Sequence, residues 1–297
     1  DVGRDGGVFR ATEGLVERFG AERVLDTPVA EAAIAGIAIG MAAHGLRPVA
    51  EIQFDGFMYS TLDQMVNHAS RLRNRTRGRL CCPMVLRAPF GGGIHAPEHH
   101  SESPEAMFAH VPGLRVVIPS SPARAYGLLL AAIRDPDPVV FLEPKRIYRA
   151  HREEVPDDGA ALALDTCFTL REGSDLTLIS WGAMLEETLA AADALATGGV
   201  AAEVIDVATL KPLDADTITA SVARTGRAVI VHEAALSGGF GAEIAALLAE
   251  RCLFDLLAPV LRVAGYDTVM PLPRLEQHYM PSTERILEAA REVMRYR

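Results

Sequence analysis

Apolar and polar positions along this chain switch between two periods, and the switches predict most of its elements. Short apolar runs read as buried strands at Pro48 to Phe54, Pro83 to Arg87, Leu114 to Ile118 and Pro138 to Leu142. Helical spacing fills the gaps at Tyr59 to Arg73 and Pro122 to Arg134. The second half repeats the rhythm. Its strands are Leu176 to Ser180, Ala202 to Ile205, Ala228 to Val231 and Val260 to Val263. Its helices are Leu185 to Leu195, Asp214 to Ala223, Gly241 to Glu250 and Ser282 to Arg295. Strands separated by helices imply parallel βαβ units, so the expected class is α/β with two doubly wound domains. Residues 150 to 173 carry few periodic signals and include Pro156-Asp157-Asp158-Gly159. The domains are accordingly placed at 1–155 and 174–297, with a linker at 156–173.

One helix stands apart. Asp26-Thr27-Pro28-Val29-Ala30-Glu31 leads into the apolar run Ala32 to Ala43. Thr27 suits the N-cap and Pro28 the first helical position. Glu31 then shares a face with Ile34, Ala35, Ala38 and Ala42. A helix apolar all round is expected to be buried, and Glu31 with it. Burial would push its carboxyl pKa up and suit it to exchange a proton with a bound group. The competing reading is a capping-box glutamate, although Glu31 lies four residues after Thr27 rather than three.

Composition narrows the function. The 297 residues are 49% hydrophobic and 23% charged, an ordinary globular balance. A net charge of −10 argues against nucleic acid or an anionic membrane as the main partner. No apolar run approaches the ~20 residues that span a bilayer. Cys81, Cys82, Cys167 and Cys252 form no Cys-x-x-Cys pair, which reads as reduced thiols in a cytoplasm-like compartment.

The second chemical candidate is the loop Gly91 to Ser103, with three glycines and then His95, His99 and His100. His95 to His99 spells an inverted zinc-protease motif, but Pro97 and the glycines oppose the helix that motif needs. A solvated polar loop and a catalytic histidine above a parallel sheet remain. The arginines at 71, 73, 75, 77 and 79 read as a solvated face or a subunit contact. No Gly-Asp-Gly segment, phosphate-binding Gly-x-x-x-x-Gly-Lys loop or dinucleotide glycine motif occurs. The chain therefore lacks an evident phosphate cradle of its own.

Several segments in order resemble the β subunit of the thiamine-diphosphate-dependent 2-oxo-acid dehydrogenases. They are Asp1-Val2-Gly3, Gly6 to Arg10, Asp26 to Glu31, Glu51 to Phe54, His100 to Glu105, Glu143-Pro144-Lys145, Leu210 to Asp214 and Gly238 to Glu243. The likeness covers essentially the whole chain, and relative to the family the chain looks short at its N-terminus. It implies a pyrimidine-binding domain followed by a transketolase-type C-terminal domain. It further implies a heterotetramer of two α and two β subunits, whose α subunit holds the diphosphate and Mg²⁺.

Under the resemblance, Glu31 corresponds to the glutamate that bonds the aminopyrimidine, and His100 to the histidine near the reacting centre. Val29, Gln53 and Phe57 correspond to pocket-lining positions, Phe57 standing where tyrosine is common. A structural potassium site would fall at Met84, Ala132, Ile133, Asp135 and Asp137. Ser103 to Ala106 and Phe141 to Lys145 favour branched-chain 2-oxo acids as substrate. His95 to Glu98 resembles the pyruvate enzymes, which are the alternative. Acyl transfer to a lipoyl-acyltransferase core is implied, and a non-catalytic scaffold docking that core is the reading from another class. A transketolase or deoxyxylulose-phosphate synthase fragment is a further enzyme reading.

Overall fold

A computed structural model describes residues 1–296. Its ten strands are β1 (Val49–Glu51), β2 (Val85–Phe90), β3 (Arg115–Val117), β4 (Val139–Pro144), β5 (Phe168–Arg171), β6 (Leu176–Ser180), β7 (Ala202–Asp206), β8 (Thr209–Lys211), β9 (Ala228–Ala235) and β10 (Leu261–Gly265). They form two five-stranded sheets, in the orders β1-β2-β4-β3-β8 and β10-β9-β6-β7-β5. Within each sheet the strands pair in parallel except at one edge, where β8 and β5 run antiparallel to their neighbours. All six residues of β2 and of β4 are buried, as expected for parallel strands covered on both faces.

Two strands depart from the sequence expectation. β5 lies inside the stretch read as linker and pairs with β7, closing the edge of the second sheet. β8 belongs by sequence to the second half, yet it completes the first sheet against β3. Three residues carry too little pattern to stand out, so β8 had no periodic signal. A single cluster of buried side chains runs from Met58, Leu86 and Ile118 through Ile179 and Trp181 to Ile230 and Leu248. The two sheets thus share one core.

The helices follow their local chemistry. Pro122–Arg134 has Ser121 as N-cap, whose hydroxyl accepts the Arg124 N–H at 3.3 Å, with proline in the first turn. The helix expected at Tyr59 to Arg73 is broken into 3₁₀ and α segments: Asp55–Thr61, Leu62–Asn67, Ala69–Arg71 and Leu72–Arg75. Ser60, Thr61 and Ser70 hydroxyls donate to carbonyls three or four residues back. Such side-chain bonds compete with the regular ladder and bend it.

The apolar helix spans Glu31–Ala43, and its N-cap is Ala30 with no side-chain cap. Thr27 and Pro28 therefore precede the helix instead of opening it. Nor is it buried all round: Ala35, Ala38 and Ala42 face the core, while Ile37 is 57% exposed. Glu31 is half-buried rather than enclosed. The expectation failed because periodicity reports how apolar a face is, and the facing surface must come from elsewhere. Among the described residues no helix is long and apolar enough to cross a membrane. All four cysteines are free thiols, with Cys82, Cys167 and Cys252 buried.

Candidate active site

The carboxyl ends of parallel strands lie on one edge of a sheet, where ligands usually bind. β1 hands the chain there to Ile52-Gln53-Phe54-Asp55, and β2 to the Gly91–Gly93 loop. β4 delivers Lys145 directly after Pro144. Three segments far apart in sequence therefore meet at one edge because the strands carrying them are neighbours.

His100 lies at the end of a short 3₁₀ turn, Glu98–His100. Its ring stacks on Phe54, with centroids 4.1 Å apart and planes 16° from parallel. Phe57 meets it edge-on at 5.2 Å, and His99 lies 4.0 Å away. Burial lowers the His100 pKa, with the neighbouring His99 as the next cause, so the imidazole is neutral at pH 7. Its Nδ1 lies 3.3 Å from the His99 carbonyl oxygen. In the tautomer that donates to this carbonyl, Nε2 keeps its lone pair.

Beneath this turn sits a buried ion pair. Lys145 Nζ donates to Asp55 Oδ1 at 2.6 Å and to the His100 carbonyl at 2.5 Å. The other Asp55 oxygen accepts the Glu102 N–H at 2.7 Å. Burial pushes Asp55 up to about 6 against the pull of Lys145, so it is ionised at neutral pH. The pair thus fixes the backbone on both sides of Ser101. Sequence reasoning assigned neither residue a role; the one signal was Lys145 within Glu143-Pro144-Lys145.

Glu31, Val29 and Gln53 line a different feature, an open cavity of about 1140 Å³ that also takes in Ile34 and Ile52. Arg87 lies deep in it, buried and ion-paired to Glu51 and Glu143 on the flanking strands. The Tyr148 hydroxyl donates to Glu143 at 2.5 Å. Sequence reasoning missed this charged group as well. Gln53 donates to the Asp1 carboxylate at 2.9 Å, and Val29 is 76% exposed at the mouth. Phe57 and His100 are not among the lining residues, but Phe54, which carries the His100 ring, directly follows Gln53. The structure therefore groups the site residues as two sets joined through Gln53-Phe54. The half-buried Glu31, the Gln53 amide and the apolar Ile34 and Ile52 line this one cavity, a set of groups whose chemistry fits an aminopyrimidine ring.

Among the described residues no group of three or more His, Cys, Asp or Glu could hold a metal ion. His95 turns its Nδ1 to Glu276 at 3.1 Å, His100 stacks on Phe54, and His99 lies tilted 6.4 Å from Phe57. Of the positions expected to hold potassium, the Ile133 and Asp135 carbonyls both receive Arg47 Nη1, at 2.7 and 3.1 Å. The Asp137 carboxylate receives Arg73 at 2.7 Å, and the Met84 carbonyl receives the Val139 N–H. Ala132 is buried beside them in the Pro122–Arg134 helix. The two carbonyls converge on positive charge, so they suit a cation, but a potassium ion there requires Arg47 to move.

Comparison with known proteins adds a family to this geometry. The pyrimidine-binding domain of transketolase matches residues 1–151, and the transketolase C-terminal domain matches residues 166–286. The pyruvate dehydrogenase E1 component subunit beta of Bacillus subtilis (strain 168) is 50% identical over 296 residues, covering 100% of this chain and 91% of the relative. The protein of the same name from Acholeplasma laidlawii is 48% identical over 297 residues, with the same coverage. Among solved structures, a split-gene transketolase described as an inactive beta4 tetramer superposes with a TM-score of 0.80. It covers 98% of this chain and 90% of its own, and at 24% identity it speaks for the fold alone. With two transketolase domains in order and half-identical relatives along its full length, the chain belongs to the β-subunit family of the thiamine-diphosphate-dependent 2-oxo-acid dehydrogenases.

Proposed function

We propose that the chain is the β subunit of a pyruvate dehydrogenase E1 component, acting with an α subunit to decarboxylate pyruvate and pass the acetyl group to a lipoyl-acyltransferase. The observation that carries this reading is the name shared by relatives 46–50% identical across the whole chain. It reverses the order expected from sequence, where branched-chain substrates came first. The two segments behind that expectation report on packing rather than on substrate: Glu105 and Lys145 are both buried, and Lys145 is engaged by Asp55.

Thiamine diphosphate, when bound, supplies the electron sink for loss of CO₂. This chain would hold its aminopyrimidine end with Glu31, Val29 and Gln53, with Phe57 standing on the His100 side of the cofactor. Glu31, in the first turn of its helix, would hold a proton against the pyrimidine N1′. His100, neutral and flanked by Phe54 and Phe57, would accept or return a proton beside the reacting carbon. The diphosphate and Mg²⁺ would be held by the α subunit in a heterotetramer, and potassium would take the carbonyls at Met84, Ala132, Ile133 and Asp135 with the Asp137 side chain. The free thiols support a reducing, cytoplasm-like setting.

Steady-state rates of the reconstituted αβ enzyme with pyruvate and with 3-methyl-2-oxobutanoate test the substrate. Higher kcat/KM for pyruvate is expected, and a branched-chain preference would overturn the ordering. Glu31→Gln and His100→Ala should each lower kcat by roughly 100-fold or more, the low end of the range for a lost acid–base group. Undiminished decarboxylation in both would leave only a scaffold role.

A further inference from the structure

The Gly91–Glu102 loop that ends in His99 and His100 is closed on itself by the Gly91 N–H, which donates to the Glu102 carbonyl at 2.9 Å. Its first half does not lie free in solvent. Glu233, on β9 of the second domain, accepts the Gly92 N–H at 3.0 Å. Glu276, at the start of the short helix Glu276–Tyr279, accepts the Gly93 N–H at 2.6 Å and the His95 N–H at 3.1 Å. Both side chains are almost fully enclosed, with Glu233 at 6% and Glu276 at 3% exposure. Gly91, Gly93 and His95 all have positive φ, which aims successive N–H groups at the two carboxylates.

The glycines follow from this contact. A Cβ on Gly91 would stand 2.6 Å from Glu233 Oε2, one on Gly92 2.8 Å from Met270 Cε, and one on Gly93 2.3 Å from Arg146 Cδ. Gly91 and Gly92 therefore let Glu233 and Met270 of the second domain press against the loop, while Gly93 makes room for Arg146 of the first domain. Burying two carboxylates to hold three backbone N–H groups is an expensive way to stabilise a fold, and apolar packing of the same volume would do it at lower cost. Such an arrangement has value where a backbone must be held in one geometry.

We propose that Glu233 and Glu276 are positioning residues, through which the second domain sets the loop backbone and so the place of the His100 imidazole. The Lys145–Asp55 pair grips the same loop from the other end, within the first domain. Between the two grips the turn carrying His100 has no freedom to swing. This rests on the reading of His100 as a group that acts at the reacting centre.

The test uses the reconstituted αβ enzyme with Glu276→Ala, Glu276→Gln and Glu233→Ala. Glu203→Gln, a buried carboxylate of the second domain paired with the half-exposed Arg224, is the control. Two readouts are taken: kcat and KM for pyruvate, and hydrogen exchange of the peptide spanning residues 91–102 in the protein without substrate. Glu276→Ala should raise loop exchange about tenfold and lower kcat by roughly 10–100-fold with KM within about twofold, the scale of a displacement near 1 Å. Glu276→Gln keeps one carbonyl acceptor, so it should fall between wild type and alanine. If an alanine variant fails to fold, the ordering of Glu276→Gln against wild type decides the matter. Unchanged loop exchange, or raised exchange with unchanged kcat, overturns the proposal. Failure of the underlying reading shows itself separately, as an unchanged kcat in His100→Ala while loop exchange still responds to Glu276.

Discussion

Asp55 shows what a single buried group can do to the acid side of a rate profile. Its carboxyl is pushed up to about 6 by burial, above the 3.8 of an exposed aspartate. As pH falls through about 6, Asp55 takes a proton and its grip on Lys145 and on the Glu102 N–H weakens. The His100 turn then loosens, so kcat should show an acid limb with a midpoint near 6. Stability runs the other way. A carboxyl whose folded pKa is raised contributes stability that is fully present below 3.8 and is lost as pH rises through 6. Activity should therefore fall between pH 7 and 5 without unfolding, as judged by kcat and thermal melts on the same samples. Asp55→Asn should remove the component near 6, leaving the protonation of His100 to shape the acid side, and lower kcat by about tenfold. A limb coinciding with loss of the folded signal would refute this account. Asp55 could not be found by pattern, because an aspartate just past a strand resembles any turn aspartate. Its partner Lys145 lies 90 positions away.

At the scale of elements, local chemistry was legible where it was self-contained. The helix expected over Pro122 to Arg134 formed with those bounds, because the Ser121 cap hydroxyl and the proline act within one turn. The expected helix at Tyr59 to Arg73 broke up, because the hydroxyls of Ser60, Thr61 and Ser70 drew the backbone into bonds the periodicity did not register. The end of the Pro122–Arg134 helix and the turn to β4 make another such case. Arg47 reaches over from the segment before β1 and takes the Ile133 and Asp135 carbonyls. If those carbonyls address a cation in general, Arg47→Met should make the protein depend on potassium. Its melting temperature is expected to rise by a few degrees between matched NaCl and KCl buffers, with the wild type showing a smaller difference. Equal melting of Arg47→Met in both salts would remove potassium from this position.

Over the whole molecule, the two sheets form one cooperative body. β8 crosses from the second half of the sequence to pair with Val116 and Val117 of β3, and the shared core continues across both sheets. A fragment of residues 1–155 lacks that strand and the side chains of Ile179, Trp181 and Leu210 that cover its core. It exposes an unpaired edge and a broad apolar surface. The fragment should therefore aggregate or melt without a cooperative transition, whereas the full chain should show one. A soluble, sharply melting fragment would show the first domain to be autonomous.

The amino-acid sequence alone determined the alternating α/β class, most strands and helices and the family resemblance, and it singled out Glu31 and His100 as candidates. Periodicity and short motifs are local properties, and Gly-rich turns and caps act within a few residues. Only the tertiary structure decided that the three glycines are held by Glu233 and Glu276, that Lys145 and Asp55 underlie His100, and that Glu31 opens onto a cavity. These contacts join residues up to 183 positions apart. They exist because strand order brings the chain ends of β1, β2 and β4 to one edge and sets the second domain against it.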